Sequence, residues 1–408
     1  MNILLINHYA GSPDMGMEFR PYYMAREWTR VGHDVTIIAG DYSHLRIKNP
    51  EVSQDFQEQD IDGIRYVWVK TGEYDGNGAA RAFTMFRFVR KLWLHAKTIA
   101  ETYKPDVIIA SSTYPLDTYA AQKIATFVYA KYIHEIHDMW PATLYEIGGM
   151  SRSHPFVRLM QRAEDSFCKN ADVVVSLLGG AQGYLVEHGM APDKFAHITN
   201  GIVEEEWAHP APLPAEHREL LEGLHAQGKF VVGYFGGHAL SNALDMLLDA
   251  AAALKDRQDI AFVLVGKGVE KPQLQQRAAR EGLANVRFLS PIEKRAIPSL
   301  LQLFDCSYIG GRPSGLAKYG LGVNKLFDSM MGGKPIVFAV RCVEDPVTDF
   351  NCGITVNPDK TEEIAEAILR FSAADEVELR SLGENGRRAA QENFTYRVLA
   401  QRFLQVMG

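Results

Sequence analysis

The sequence predicts an α/β protein with two Rossmann-like, doubly wound domains that face each other across a cleft. Short runs rich in valine and isoleucine alternate with amphipathic helical stretches, which is typical of parallel sheets covered by helices on both faces. The pattern occurs twice, and a proline-rich polar stretch, 209–217, separates the halves. The length of 408 residues also exceeds what one hydrophobic core usually supports. We therefore expect domains at 1–205 and 206–390, followed by a helix at 391–408 that can pack back on the N-terminal domain.

Six parallel strands are expected in each half of the chain. In the first half they are Asn2–Asn7, Asp34–Ala39, Ile64–Val69, Asp106–Ser111, Tyr132–Ile136 and Asp172–Leu177. In the second half they are Phe230–Phe235, Ala261–Val265, Val286–Leu289, Cys306–Ile309, Pro335–Ala339 and Gly353–Val356. Ligands of doubly wound sheets bind at the carboxyl ends of the strands, so the residues that follow each strand are the candidates for a site.

The composition excludes several classes of protein. The chain is 47% hydrophobic and 23% charged, an ordinary globular balance. Its net charge of -7 argues against a general nucleic-acid binder. The four cysteines are too widely spaced for a metal cluster or a disulfide framework, which favours a reducing cytoplasm. The N-terminal apolar run is too short for a signal peptide or a membrane span.

The stretch 320–339 predicts a short helix that leads into a buried strand. The helix is expected over Val323–Met331 and is ended by two glycines, Gly332 and Gly333. Leu326, Phe327 and Met330 have the spacing of a buried helix face.

Lys325 falls in the first turn of this helix, where unpaired amides already carry positive charge. A lysine is disfavoured there unless an anion such as a phosphate lies opposite. Asp328, one turn later, can accept hydrogen bonds from the hydroxyl groups of a ribose. The two residues together indicate a nucleotide. A solvated lysine and an aspartate placed for helix-end electrostatics remain the alternative.

Other polar and glycine residues follow the strands. The loop after the first strand carries Gly11, and its helix start carries Glu18 and Arg20, although it matches neither common phosphate-loop motif. His137 and Asp138 follow the fifth strand, where a histidine can move a proton and a carboxylate can orient it or bind a sugar hydroxyl. Turn geometry alone explains the glycine equally well, and a structural histidine that caps the turn before Pro141 remains the alternative for His137.

The second half repeats this arrangement. Gly236 and Gly237 follow its first strand and can expose amides to an anion. Lys267 lies between glycines after the next strand, while Pro291 and Ile292 follow another strand where backbone groups can contact a base. A plain surface loop accounts for Lys267 nearly as well.

A basic and aromatic segment spans 79–104. Such a segment suits the surface of an anionic membrane, although an ordinary helix packed on a sheet has the same pattern. Its basic and apolar residues are Arg81, Phe83, Met85, Phe86, Arg87, Phe88, Arg90, Lys91, Leu92, Trp93, Leu94, Lys97 and Lys104.

Several motifs together resemble the family 4 glycosyltransferases, which are retaining enzymes of the GT-B fold. The segments NHYAGSP, GMEFRPYYMAREW, EIHDMWP, ITNGI and NKLFDSMMGGKPIV are similar to the WbuB-type transferases of bacterial surface polysaccharide assembly. Asp328 stands where the family has its ribose-binding glutamate. Gly320 stands where a second glutamate is usual, and His238 and Asn242 replace the usual arginine and lysine. Lys325, helped by Lys318 or Lys267, is then the candidate for neutralising the diphosphate.

The resemblance implies a retaining transfer from a nucleotide sugar that needs no metal or other cofactor. Asn324 and Leu326 join the expected donor contacts, His137 lines the sugar site, and Glu18 positions the acceptor. The donor is expected to be a UDP-sugar with an N-acetylated amino sugar. The acceptor is expected to be a polyprenyl-diphosphate-linked glycan, reached by a cytoplasmic protein at the inner membrane. A UDP-sugar epimerase and a non-catalytic sugar-nucleotide binding protein remain alternatives.

One apparent metal motif is interpreted differently. Asp60-Ile61-Asp62 has the DxD spelling of metal-dependent transferases, but it precedes Gly63 and a strand. A solvated turn into that strand accounts for it.

Overall fold

A computed structural model describes residues 1–16, 19–76, 78–313, 315–320, 322 and 324–408. The chain forms two compact units. The first consists of residues 1–200, 319–322 and 396–408, and the second consists of residues 201–318 and 323–395. No described helix is both long enough and apolar enough to cross a membrane.

The first unit is built on an eight-stranded sheet with the order β3-β4-β2-β1-β5-β6-β7-β8 in its described residues. The strands are β1 (Asn2–Ile6), β2 (Asp34–Gly40), β3 (Gln57–Ile61), β4 (Ile64–Val69), β5 (Val107–Ala110), β6 (Lys131–Ile136), β7 (Val173–Ser176) and β8 (Phe195–His197). All neighbouring strands pair in parallel except β3 and β4, which are antiparallel.

Helices connect these strands. They are α1 (Phe19–Arg30), α2 (Ala79–Leu94), α3 (Ala96–Tyr103), α4 (Thr118–Val128), α5 (Ala142–Glu146), α6 (Pro155–Asn170) and α7 (Gln182–Glu187). The last helix of the chain, α17 in sequence order (Tyr396–Met407), packs on α1. There the Trp28 indole N–H donates to the Ala400 carbonyl at 3.1 Å and the Trp28 ring packs edge-on against Phe403.

The second unit contains a parallel sheet with the order β11-β10-β9-β12-β13-β14. The strands are β9 (Phe230–Phe235), β10 (Ile260–Val265), β11 (Val286–Leu289), β12 (Cys306–Gly310), β13 (Ile336–Ala339) and β14 (Gly353–Thr355). The helices are α8 (Glu204–Ala208), α9 (Ala215–Ala226), α10 (Leu244–Ala253), α11 (Lys271–Arg280), α12 (Ile297–Gln302), α13 (Asn324–Gly332), α14 (Pro346–Asp349), α15 (Thr361–Ala373) and α16 (Glu376–Asn393).

The helix that carries Lys325 is held closely by α16. A Cβ atom at Gly383 would lie 2.0 Å from the Gly333 carbonyl oxygen, so only glycine permits this approach. The Arg387 guanidinium donates to the carbonyls of Met331 and Gly332 at 3.2 Å each, which satisfies the C-terminal end of α13. The inward positions Leu326, Phe327 and Met330 are buried as predicted. The start predicted at Val323 lies outside the described residues.

The structure corrects two details of the predicted strands. β3 and β8 were not predicted, because β3 is polar and exposed and β8 has only three residues. Asp60 therefore lies in a strand, not in a turn. Asp62, at φ 55°, and Gly63, at φ 78°, form the turn, and the Asp62 carboxylate accepts a hydrogen bond from Tyr22 at 2.6 Å.

The proline-rich stretch 209–217 lies between α8 and α9 of the second unit, and its last three residues begin α9. Leu221 and Leu224 of α9 pack in a core with Val231 and Phe235 of β9. The prolines on either side of Leu213 predict a polar connection. Leu213 and the apolar face of α9 are nevertheless buried in the core of the second unit.

Candidate functional site

The carboxyl end of β9 forms a tight glycine loop in the second unit. Gly236 has a φ of 127°, and its carbonyl would lie 1.9 Å from a Cβ atom at Gly266. Its N–H donates to the Val265 carbonyl at 3.0 Å, and the His238 N–H donates to the Lys267 carbonyl at 2.8 Å. Of the three loop amides, only that of Gly237 donates to no described residue. Gly236 and Gly237 were both predicted to offer an amide to an anion. Because the Gly236 N–H is used within the loop, the Gly237 N–H is the one of the two that lacks a described acceptor.

Lys325 lies beside this loop. Its Nζ donates to Tyr234 Oη at 3.0 Å and to Asn242 Oδ1 at 2.6 Å, and it lies 4.7 Å from the centre of the Tyr234 ring. Both acceptors are neutral, and no described carboxylate forms an ion pair with Lys325. Burial lowers the pKa of Lys325 to about 8. The side chain is therefore a partly buried cation whose charge no described carboxylate balances.

Asp328 lies one turn further along α13. The residue is 8% exposed, and burial raises the pKa of its carboxyl group to about 6. The positive charge of Lys294 acts to lower this pKa, and the negative charge of Glu206 acts to raise it. Its carboxylate accepts no hydrogen bond from the residues that the structure describes, so it is available to hydroxyl groups of a ligand. The ribose role of Asp328 stays a prediction.

His238 occupies a position where resemblance had suggested an arginine. The ring is fully buried and stacks on Tyr234 with centroids 5.8 Å apart, and neither nitrogen has a hydrogen-bond partner among the described residues. Burial, with smaller contributions from the charges of Lys271 and Lys325, lowers the pKa of His238 to about 4. The ring is accordingly neutral near pH 7 and adds no positive charge beside Lys325.

The remaining predicted donor contacts differ in their exposure. Lys267, Pro291 and Asn324 are exposed, Ile292 is half-buried against the core of the second unit, and Leu326 is buried. The buried side chain of Leu326 leaves mainly its backbone for any ligand contact.

Sequence reasoning missed two residues of this site, Tyr234 and Lys271. The Lys271 ammonium donates to the carbonyls of Gly266 at 2.8 Å and Leu289 at 2.6 Å, and so ties together the ends of β10 and β11. Lys271 begins α11, so the argument used for Lys325, a lysine in the first turn of a helix, would have found it. Tyr234 has no comparable signal, because its side chain is in a buried strand.

In the first unit, a buried polar cluster joins α1 to the ends of β5 and β6. Arg20 pairs with Glu135 at 2.9 Å, and the two side chains are 2% and 3% exposed. The other oxygen of Glu135 lies 2.6 Å from Ser111 Oγ and 3.0 Å from His137 Nε2. Arg20 also donates to the carbonyls of Ile198 and Thr199. The guanidinium of Arg20 is thus bonded within the first unit, and its predicted contact with the donor stays a prediction.

The carboxylate that contacts the His137 ring is that of Glu135, not the predicted Asp138. Asp138 Oδ1 instead accepts from the Met139 N–H at 2.8 Å and from the Thr143 hydroxyl at 2.9 Å. It therefore closes the turn that begins α5, while its second oxygen makes no hydrogen bond to a described residue. The catalytic role of Asp138 stays a prediction.

Two further predictions concern the loop after β1. The Gly11 carbonyl accepts from the Tyr66 hydroxyl at 2.8 Å, and a Cβ atom at Gly11 would meet Arg46 at 3.4 Å, an ordinary contact. A side chain is therefore tolerated at Gly11. Glu18 lies outside the described residues.

Among the described residues, Glu164, Asp165 and His188 place their ligand atoms within 4.8 Å of one another, a spacing that can hold a metal ion. These atoms already have partners. Glu164 accepts from Tyr184 at 2.7 Å and from Gln161 at 2.6 Å, and His188 lies 2.8 Å from Asp165. Internal hydrogen bonds explain this cluster without an ion.

Two α/β units built on largely parallel sheets form the GT-B fold of glycosyltransferases, and comparison with known proteins supports this class. Residues 15–201 match the family described as glycosyl transferase 4-like domain. Residues 229–373 match the family described as glycosyl transferases group 1. These matches place the chain among the glycosyltransferases, and the predicted fold class is confirmed.

Individual proteins show the same relationship. The chain is 23% identical to the probable glycosyltransferase WbjE of Pseudomonas aeruginosa, over 80% of this chain and 78% of that protein. It is 23% identical to the putative colanic acid biosynthesis glycosyl transferase WcaI of Escherichia coli, over 51% of each chain. Among solved structures, HepE of Anabaena in complex with UDP superposes with a TM-score of 0.68 at 18% identity, over 99% of both chains. That similarity shows the fold alone.

Proposed function

We propose that this protein is a retaining, metal-independent glycosyltransferase that moves a sugar from a UDP-linked donor to a lipid-linked glycan of a bacterial surface polysaccharide. The observation that carries this proposal is Lys325, a partly buried ammonium group whose two acceptors among the described residues are neutral oxygens. Removing a cation from water without an anionic partner is unfavourable. A bound diphosphate would supply that partner.

The chemistry of a nucleotide sugar requires such a cation. When the anomeric bond breaks, negative charge develops on the departing diphosphate and positive charge develops on the sugar. A fixed ammonium group and an N–H aimed at the diphosphate stabilise this charge separation in the transition state. Lys325 and the Gly237 N–H supply these groups at the carboxyl end of β9.

The nucleoside is expected next to α13. Asp328 has free acceptor capacity one turn after Lys325, and a ribose offers two hydroxyl donors. HepE, which shares the fold, was crystallised with UDP, which supports UDP as the nucleotide. The names of WbjE and WcaI support polysaccharide assembly as the setting. An N-acetylated amino sugar remains the donor that the motif resemblance favours.

The stereochemical course follows from the same resemblance. The acceptor hydroxyl would attack from the side of the leaving group, so the configuration at the anomeric carbon is retained and no protein nucleophile is required. His137 would then contact the sugar through its ring.

The lipid-linked acceptor is supported by the outer face of α2. Phe83, Phe86, Trp93 and Leu94 are all exposed, and helical spacing places them on one face with Arg90. The opposite face, with Met85, Phe88 and Leu92, is buried in the first unit. An exposed aromatic and basic stripe suits an anionic lipid surface. The stripe is smaller than the sequence suggested, because Arg87 donates to the Thr71 carbonyl and Lys91 pairs with Asp55.

Membrane contact is tested by sedimentation with vesicles at low salt. The wild-type protein is expected to co-sediment with anionic vesicles, whereas the double variant Phe83→Ser, Trp93→Ser should remain in the supernatant. Val269→Ser changes an exposed apolar residue of the second unit and serves as the control. Equal sedimentation of all three proteins would contradict the assignment of this face.

The function is tested by a thermal-shift panel of nucleotides and nucleotide sugars, followed by assays with polyprenyl-diphosphate-linked glycans. UDP and one UDP-sugar are expected to stabilise the protein most, and transfer should persist in the presence of a metal chelator. Turnover of a UDP-sugar without acceptor would indicate an epimerase. UDP binding without transfer or hydrolysis would indicate a non-catalytic binding protein.

A further inference from the structure

His137 has an asymmetric environment within the first unit. Its Nε2 lies 3.0 Å from Glu135 Oε2 and 2.9 Å from Ser111 Oγ. Its Nδ1 has no hydrogen-bond partner among the described residues, yet it is not one of the fully buried unpartnered atoms. One ring nitrogen is therefore held by the protein, and the other is accessible to a ligand.

The charge state of Glu135 decides which nitrogen carries the proton. Burial by itself would raise the pKa of Glu135, but Arg20 and His137 outweigh it and hold that pKa well below its usual range. An ionised carboxylate can only accept hydrogen bonds. Because Ser111 Oγ and His137 Nε2 both lie within hydrogen-bond distance of Oε2, both must donate to it.

The proton of a neutral His137 consequently resides on Nε2. The bare lone pair of Nδ1 then faces outward as an acceptor, not as a donor. Arg20 keeps this arrangement rigid, because it also donates to the Ile198 and Thr199 carbonyls that follow β8.

We propose that Glu135 is a positioning residue that fixes His137 as the tautomer protonated at Nε2, so that Nδ1 accepts a hydrogen bond from a hydroxyl group of the sugar substrate. The substrate part of this proposal rests on the proposed transferase function. The tautomer part depends on the first unit alone. His137 Nδ1 therefore accepts a hydrogen bond from a hydroxyl group. It cannot bind a ligand group that only accepts hydrogen bonds.

The tautomer is measured directly by long-range proton–nitrogen correlation spectra of the isotopically labelled wild-type protein, at a pH where His137 is neutral. The His137 signals are assigned by their loss in His137→Asn. We expect the pattern of an Nε2-protonated ring. An Nδ1-protonated ring in the wild-type protein would overturn the proposal, and this measurement needs no variant of Glu135.

Glu135→Gln provides the second test. Its carboxamide N–H2 can donate to Nε2, so the proton of His137 should move to Nδ1 and the turnover number should fall roughly a hundredfold, as expected when a positioned proton is misplaced. UDP affinity, a property of the second unit, should stay within about twofold of wild type. An unchanged turnover number, or a tautomer that does not change, would overturn the proposal.

The matched control is Glu27→Gln, which alters another buried glutamate of the same unit that pairs with Arg26 and Arg30. It should leave the His137 spectrum and the turnover number unchanged. If Glu135→Gln fails to fold, Ser111→Ala keeps the pair with Arg20 and should retain the Nε2 proton, because the carboxylate remains. A wild-type protein that neither binds UDP nor transfers sugar would refute the proposed function, while its spectrum would still decide the role of Glu135.

Discussion

The two units each bury a cation at a sheet end, but they satisfy it in opposite ways. Arg20 of the first unit pairs with Glu135 at 2.9 Å and donates to two backbone carbonyls. In the described part of the second unit, Lys325 donates to the neutral oxygens of Tyr234 and Asn242 and to no carboxylate. A buried charge with a complete set of partners is part of the scaffold, whereas one without a counter-ion indicates a place for an anionic ligand.

The largest expected contrast is in stability. Arg20→Met leaves Glu135 buried without its cation and should lower the free energy of unfolding by about 3–5 kcal/mol. Lys325→Met removes an unbalanced charge and should leave it unchanged or slightly higher. Urea denaturation of the two variants measures the difference, with the exposed Lys255→Met as control. An equal loss of unfolding free energy in both variants would contradict the claim that Arg20 has a charge partner and Lys325 has none.

In contrast to stability, UDP binding should depend more strongly on Lys325 than on Arg20. Lys325→Met removes a charge-assisted contact and should weaken UDP binding by about 1.5–3 kcal/mol, or roughly ten- to 150-fold. Calorimetric titration at neutral pH measures this, and Lys255→Met should bind as the wild type does. A loss below about threefold would separate Lys325 from the diphosphate.

The pH dependence of UDP binding sharpens the comparison further. Burial lowers the pKa of Lys325 to about 8 in the free protein, so the ammonium form that binds the diphosphate is lost as the pH rises through that value. Affinity should therefore fall above about pH 8, by up to tenfold per pH unit, because binding then requires uptake of a proton. In Lys325→Arg the guanidinium stays charged, so its affinity should be flat from about pH 7 to 9. Parallel curves for the two proteins would contradict the assignment.

The smallest expected effect comes from giving Lys325 a carboxylate partner, as Arg20 has in Glu135. Asn242→Asp places a carboxylate 2.6 Å from Lys325 Nζ if the geometry is retained. The new pair should raise the pKa of Lys325, stabilise the free protein by up to about 1 kcal/mol, and weaken UDP binding roughly tenfold by repulsion. Asn242→Ala, which removes the acceptor without adding charge, is the control. UDP binding as tight as in the wild type would refute this reasoning.

Local patterns predicted most of the fold. The strands Ile64–Val69, Phe230–Phe235 and Val286–Leu289 have the predicted limits, because runs of β-branched and aromatic residues between turn signals indicate buried strands. β3 was missed for the same reason, since an exposed edge strand of mostly polar residues lacks that pattern. The helix of Lys325 was found, but its partners Tyr234 and Asn242, which lie 91 and 83 residues away, were not.

The sequence by itself determined that the chain forms two parallel sheets, where Lys325 lies on its helix, and that His137 follows a strand. Only the tertiary structure decided which of these charges are balanced. It paired Arg20 with Glu135 across 115 residues and left Lys325 among neutral oxygens. The physical reason is that periodicity and helix-end effects act between near neighbours, whereas burial and ion pairing depend on which distant segments the fold brings together.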